Sequence, residues 1–281
     1  MDKNSAKMQI GNRIFQVADS TYIMGILNVT PDSFSDGGKY NSTDAALKQA
    51  ERMLEEGADV IDIGGESTRP GHQKISEEEE IQRTAQIIRL IKERLDIPVS
   101  IDTYKSKVAK AALQAGADMV NDIWGLKYDA ELAKVIAACG APCCLMHNRE
   151  HSEYSNFMKN VKEDLRETLK IAQGAGIAKD KILLDPGVGF GKTYEQNLEI
   201  IGKLKELREL GYPLLLGTSR KSVIGLTLEL PVTERLEGTL VTTVLGVMAG
   251  CAFVRVHDVL ANKRAIQMTE AILRYRLNEN E

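Results

Sequence analysis

Short apolar runs recur along this chain, and each ends abruptly on polar or glycine residues. They are YIMGILN (to Asn28), VIDIGG (to Gly65), VSIDT (to Asp102 and Thr103), MVNDI (to Asn121 and Asp122), CCLMH (to His147), KILLD (to Asp185), LLLGTSRK (to Lys221) and FVRVH (to His257). Most are followed by a stretch with helical spacing of its apolar residues. Ser76 and Glu79 make a capping-box pattern before IQRTAQIIRLIKERL, in which Ile81, Ala85, Ile88, Ile91 and Leu95 share one face. The acidic first turn of that segment complements the helix dipole. Ser42 or Thr43 can cap a helix carrying Leu47, Ala50 and Leu54, and further amphipathic stretches cover 105–115, 130–138, 156–173, 196–207, 234–248 and 259–274. Gly57, Gly116, Gly140, Gly176, Gly211 and Gly250 sit just past six of the helices, where a left-handed residue ends a helix.

Strand, helix, glycine stop, strand: this order predicts a mainly parallel sheet with right-handed crossovers. An open doubly wound sheet has the same local pattern, but eight such units favour closure into a (β/α)8 TIM barrel. No Pro/Ser-rich linker divides the chain, so residues 1–281 are read as one domain. Residues 1–20 are assigned to the barrel bottom, with a two-stranded lid over Met8–Phe15. In such a barrel the C-terminal strand ends meet at one face and build the active site there. Two polar connections on that face, 29–41 and 64–75, are long enough to be functional loops.

Charge narrows the partners. Lys plus Arg number 36 against 40 Asp plus Glu, a net −4, which argues against nucleic-acid and acidic-membrane surfaces. An anion must therefore be held by a few placed cations. No apolar run approaches the ~18 residues needed to span a bilayer, and MDKNSAKMQIGNRIF has no apolar signal-peptide region. Cys139, Cys143, Cys144 and Cys251 lack zinc-site spacing and are read as reduced, buried thiols. The expected compartment is the cytoplasm.

The chemistry is expected at the strand tips. Asp102 and Asp185 end apolar stems, so each should be partly buried and in need of donors. A ligand with a planar N–C–N donor edge can engage such a carboxylate bidentately. Asn121 adds a donor and an acceptor, whereas Asp122 is read as a structural Asp that caps the following helix. Two facing carboxylates also suit a metal or glycoside hydrolysis, and that alternative stays open. Lys221, in Thr218-Ser219-Arg220-Lys221-Ser222, and Arg255 with His257 end the seventh and eighth strands, where barrels often bind phosphate. Lys221 as a Schiff-base lysine is disfavoured, because a polar turn should not depress its pKa. DPGVGFGKT fails both nucleotide-loop patterns, having Pro186 and Lys192 where glycines are required; it is read as a pocket rim with Phe190 as an apolar wall. His147 is read as structural, and Met146 as packing against whatever ring enters.

GILNVTPDSFSDGG from Gly25, DIGGESTRPG from Asp62, SIDTYKSKVAKAALQAGADMVNDI from Ser100, LLDPGVGFGKT from Leu183, GTSRKS from Gly217 and RVHDV from Arg255 resemble, in order and over nearly the full length, the dihydropteroate synthases. The resemblance implies a (β/α)8 barrel that condenses hydroxymethyl-dihydropterin diphosphate with para-aminobenzoate and releases diphosphate. It implies that Asp102, Asn121, Met146, Asp185, Phe190, Gly217 and Lys221 form the pterin pocket, with Arg255 against a ring face. It places Thr68, Arg255 and His257 near the diphosphate, Mg2+ on Asn28, and Phe34, Arg69, Pro70, Lys221 and Ser222 around the aminobenzoate. Asp102, Lys221, Arg255 and His257 are the implied catalytic set, and a homodimer through the late helices the implied assembly. Val223, where the family often carries Phe, is expected to alter packing beside the acceptor pocket. The competing readings are a methyltetrahydrofolate–corrinoid methyltransferase-like barrel and a non-catalytic pterin-binding module.

Overall fold

The computed structural model describes residues 7–29, 39–66 and 74–278. Strands β1 (Lys7–Ile10) and β2 (Arg13–Gln16) pair as an antiparallel hairpin. Then β3 (Tyr22–Asn28), β4 (Val60–Gly64), β5 (Val99–Asp102), β6 (Met119–Asp122), β7 (Cys143–Met146), β8 (Ile182–Asp185), β9 (Leu215–Leu216) and β10 (Phe253–Val256) form one parallel sheet. Its order runs from β8 through β7, β6, β5, β4, β3 and β10 to β9. A parallel bridge between Leu184 and Leu214, and Leu184 N–H donating to Pro213 O at 3.0 Å, join the two ends. The expected (β/α)8 closure is therefore the observed architecture.

The helices sit outside as α1 (Lys39–Glu55), α2 (Glu77–Arg94), α3 (Ser106–Gln114), α4 (Leu132–Cys139), α5 (Phe157–Gly174), α6 (Tyr194–Gly202), α7 (Leu204–Leu207), α8 (Ser222–Leu228), α9 (Leu236–Ala249) and α10 (Val259–Asn278). Ser76 Oγ caps α2 by accepting from Glu79 N–H at 3.1 Å, and the six helix-stop glycines all adopt positive φ. Among the departures from the sequence reading, α1 begins at Lys39, so Ser42 and Thr43 lie inside the helix and not at its cap. The stretch 196–207 is two helices, because the backbone leaves helical geometry at Lys203. Helix α8 was not expected, since SVIGLTL mixes β-branched residues with Gly225. A Cβ there would lie 2.2 Å from the Arg235 guanidinium, so a larger residue would displace that side chain from its bonds to Leu230 O and Arg220 O.

Alternation along each strand sorts the side chains. Ile61, Ile63, Val99, Ile101, Val120, Leu145, Leu184, Leu216 and Val254 point outward into the main core, with the helices. Inward, a second cluster unites Met24, Val60, Met119, Cys144, Leu183, Leu215 and Phe253 with hairpin residues Met8, Ile10 and Phe15. Most of these sit at or next to the N-terminal strand ends, so the hairpin seals that end of the barrel. Fully burying each such large side chain contributes about 1.5–3 kcal/mol. Further along the same strands, on the same inward register, stand Asn28, Asp62, Asp102, Asn121, Met146, Asp185 and Arg255.

Candidate active site

The polar layer is joined across the barrel by Arg255. Its Nε donates to Asp62 Oδ2 at 2.6 Å and its Nη2 to Asp102 Oδ2 at 2.6 Å. Asn121 Nδ2 donates to the same Asp62 Oδ2 at 3.0 Å. Asp62 is fully buried, and Asp102 and Asn121 nearly so. The second oxygen of each acid, Oδ1 of Asp62 and of Asp102, is buried with no hydrogen-bond partner among the described residues. Buried acceptors without donors are costly, so this layer is built to receive a ligand that donates. Burial pushes the Asp102 carboxyl up to about 7, against the pull of Arg255. For Arg255 burial opposes the charge, but Asp62 and Asp102 outweigh it and hold the guanidinium ionised.

Asp185 and Lys221 complete the ring of charge. A Cβ placed on Gly217 would lie 3.6 Å from Asp185 Oδ2, 3.8 Å from Arg255 Cβ and 3.9 Å from Lys221 Nζ. The arginine of β10, the acid that ends β8 and the lysine that follows β9 thus converge on one glycine-floored spot. Asp185 Oδ1 accepts from Gly187 N–H at 2.7 Å, and burial raises its pKa against the attraction of Lys221. Lys221 Nζ donates to Val188 O at 2.5 Å and sits 4.8 Å over the Phe190 ring. Burial lowers its pKa to about 8, with Asp185 partly restoring it. This corrects the expectation that the polar turn would leave Lys221 unperturbed: the turn folds inward, and the fold supplies the enclosure that the local sequence lacks. Above the ring of charge, Tyr104, Ile123 and Met146 form a small apolar cluster with Trp124 and Phe190.

The remaining expected residues are distributed as follows. Asn28 Oδ1 and Asp102 Oδ2 flank Gly64, at 3.5 and 3.7 Å from where its Cβ would be. His257 is tied to Ser219, whose Oγ lies 3.0 Å from Nδ1 and accepts from the His257 N–H at 3.2 Å. Ser222 is exposed at the start of α8. Arg220 has left-handed φ of 58° and a bidentate pair with Asp258, which turns it away from the charge ring. Val223 is buried in the main core. Asp122 is structural, as expected, but it shapes a turn by accepting from Trp124 N–H and Leu126 N–H and does not cap the next helix, which starts at Leu132. Cys139 is exposed, contrary to the buried-thiol reading, while the other three thiols are buried. Phe34, Thr68, Arg69 and Pro70 lie outside the described residues.

Sequence reasoning missed two groups. Asp62 was passed over as part of an apolar stem, although its inward parity, two residues before Gly64, was a usable signal. The other is a buried cluster at the ends of the second long loop. Lys105 Nζ donates to Glu66 Oε2 at 2.8 Å, Glu80 Oε2 at 2.7 Å and Ile75 O at 3.0 Å. Tyr104 OH donates to Glu66 Oε1 at 2.6 Å, and Ile75 N–H to Glu66 Oε2 at 2.9 Å. Residues 66 and 75 are thereby pinned together beside the site. Burial opposes the Glu66 charge, but its bonds to Lys105 and Tyr104 hold the pKa down at about 2.

A parallel barrel with a mixed acid–base ring under an apolar shelf, at its C-terminal face, defines an enzyme that takes a flat, donor-rich ring together with an anion. The family model described as pterin binding enzyme matches residues 24–257. The dihydropteroate synthase of Clostridium beijerinckii is 60% identical over 268 residues, covering 95% of this chain and 100% of the relative. That of Bacillus subtilis is 51% identical over 255 residues, covering 91% and 90%. Among solved structures, dihydropteroate synthase of Clostridium difficile in the presence of pteroic acid superposes with TM-score 0.89 at 53% identity, covering 91% of this chain and 97% of that one. The Xanthomonas albilineans enzyme with 4-aminobenzoic acid gives TM-score 0.91 at 39% identity, covering 96% and 99%. The chain belongs to the pterin binding enzyme family, among its dihydropteroate synthases.

Proposed function

We propose that this chain condenses 6-hydroxymethyl-7,8-dihydropterin diphosphate with para-aminobenzoate, giving 7,8-dihydropteroate and diphosphate, with the polar layer as the pterin site. The observation that carries the assignment is the convergence of Asp102, Asn121, Asp185, Lys221 and Arg255 on one inward face. Asp185 accepts from the amino-pyrimidinone edge, because its Oδ2 faces the Gly217 floor while Oδ1 is spent on the Gly187 N–H. Asn121, having committed its Nδ2 to Asp62, turns its carbonyl oxygen to the ring. Lys221 serves the ring carbonyl and ring nitrogen, Met146 and Phe190 line the slot on its apolar side, and Arg255 lies against a ring face. Thr68 and His257 meet the diphosphate, and Phe34, Arg69, Pro70, Lys221 and Ser222 shape the aminobenzoate pocket.

Among the described residues no three acids, histidines or cysteines gather to hold a metal. One amide oxygen, Asn28 Oδ1 at the rim, fits an ion that arrives with substrate oxygens and water. Mg2+ bound there would neutralise charge on the leaving diphosphate. The protein's own part is electrostatic. Arg255, kept ionised by two acids, faces the developing anion, and the Asp102 carboxylate stabilises positive charge spreading through the dihydropterin as the exocyclic C–O bond breaks. The aniline nitrogen then attacks that carbon and loses its proton. A dissociative order is favoured by the good leaving group; positional isotope exchange in the diphosphate without aminobenzoate tests it, and its absence would favour concerted displacement.

Purified protein incubated with both substrates and Mg2+ should form dihydropteroate with stoichiometric diphosphate. A methyltetrahydrofolate-dependent barrel or a binding module would release none. Lys221→Ala should raise the KM of both substrates; a loss confined to one would remove its dual role.

The same reading includes a cytoplasmic homodimer. Val241, Leu245 and Met248 are exposed along one face of α9, and Met268, Ile272 and Tyr275 along one face of the neighbouring α10. This stripe supports dimer formation through the late helices, and sedimentation equilibrium at the mass of a monomer would exclude it. The free state of all four cysteines supports a reducing compartment. No helix among the described residues is long and apolar enough to cross a membrane.

A further inference from the structure

Beneath the turn that follows β8 lies a part-buried row of polar groups with no part in the chemistry above. Lys192 Nζ donates to Gly187 O at 2.9 Å and Phe190 O at 3.0 Å, and lies 2.8 Å from His147 Nδ1. His147 Nε2 lies 2.9 Å from Asp164 Oδ2, and Arg149 grips Asp164 through Nε at 2.6 Å and Nη2 at 3.0 Å. One assignment of hydrogens satisfies the row. An ammonium only donates and a carboxylate only accepts, so Nδ1 of His147 is the acceptor and Nε2 carries the hydrogen. The ring is then neutral. All three Lys192 hydrogens are used, which leaves none to bind an anion.

We propose that Lys192 and His147 are positioning residues, a clasp that holds the 187–190 turn in the shape the pterin pocket needs. The turn has little shape of its own, because Gly187, Gly189 and Gly191 all take positive φ, a freedom that costs entropy to restrain. The two carbonyls taken by Lys192 bracket Val188, whose own carbonyl receives Lys221 Nζ, and include that of Phe190, whose ring lies under the same ammonium. From the far side, His147 N–H donates to Asp185 O at 2.9 Å, and a Cβ on Gly187 would lie 1.9 Å from His147 O. The clasp therefore acts on three pocket residues at once: Asp185, Phe190 and Lys221. Its charged neighbours are Asp185 and Lys221 on the pocket side and Asp164 and Arg149 on the other. Burial, helped by the Lys192 charge and opposed by Asp164, keeps His147 low at about 4. Burial also lowers Lys192 to about 7, against Asp185. Between these values the row holds one charged lysine and one neutral histidine.

The inference rests on the pterin reading of the pocket, and its test separates the two. Wild type, Lys192→Met, His147→Leu and His147→Gln are assayed with hydroxymethyl-dihydropterin diphosphate and aminobenzoate. Lys192→Met and His147→Leu should raise the pterin KM about tenfold, the size of one or two lost hydrogen bonds, with aminobenzoate KM within about twofold. His147→Gln, whose amide can accept from Lys192 and donate to Asp164, should recover most of the loss. In 15N-histidine spectra of the wild type between about pH 5 and 6, His147 should show a bare Nδ1 and a protonated Nε2. An imidazolium or an Nδ1–H ring there overturns the clasp even if a variant fails to fold. An unchanged pterin KM in Lys192→Met overturns it too. A wild type that releases no diphosphate sinks the functional reading instead, and the spectra still decide the clasp.

Discussion

The two ends of this barrel are built from the same strands and could hardly differ more. At the N-terminal end, inward side chains such as Met24, Met119, Leu183 and Phe253 meet Met8 and Phe15 from the hairpin. The Phe15 ring stands edge-on to Tyr22 with centroids 4.9 Å apart, and packs on Phe253 at 5.3 Å. Within a few residues along the same strands, the inward positions become Asp62, Asp102, Asn121, Asp185 and Arg255, with buried acceptors left open. One end gains stability from contact area; the other carries desolvated charge that a packed apolar layer would not. A site of this kind is affordable only because the opposite end is sealed.

The sharpest break between the ends comes from paired substitutions. Phe253→Ala should cost about 3–5 kcal/mol of stability, read by denaturant titration, while KM for both substrates per folded molecule stays unchanged. If KM moved as much as stability, the ends would not be independent. Next in size, Asp185→Asn should weaken pterin binding by about 2–3 kcal/mol, the range for a hydrogen bond to a charged group, with little loss of melting temperature, because the Asn carbonyl can still accept from Gly187 N–H. Calorimetry showing unchanged affinity would remove Asp185 from the pterin edge.

A pH experiment addresses the charged end alone. The Asp102 pKa is raised from 3.8 to about 7 in the folded chain. Between those values the folded state binds the extra proton, so its contribution to stability is present below about pH 4 and is lost as the pH rises through 7. The slope is at most ~1.4 kcal/mol per pH unit for one proton. Denaturation of Asp102→Asn from pH 4 to 8 should show that decline removed; an unchanged slope would mean that Arg255 holds Asp102 ionised throughout. At the small end of the scale, Ile14→Thr, on the exposed outer side of the hairpin, should shift stability by less than about 0.5 kcal/mol. A larger loss would mean that the outer face of the hairpin is covered in solution.

Much of this molecule was legible in one dimension. Apolar runs of strand length, helical spacing between them and the six stop glycines are local properties, and they specified the order of elements and a parallel sheet whose eight units favour closure. Their place at the ends of apolar stems marked Asn28, Asp102, Asn121, Asp185 and Arg255 for the active face, because in a parallel barrel the C-terminal strand ends share one side. What only the folded chain decided was which charges meet. Arg255 finds Asp62 across 193 residues and Asp102 across 153, and no local pattern encodes a partner at such a distance. The enclosure of Lys221, the Lys105 cluster and the neutral state of His147 have the same origin: solvation and electrostatic neighbours are set by closure of the barrel, and closure is a property of the whole chain.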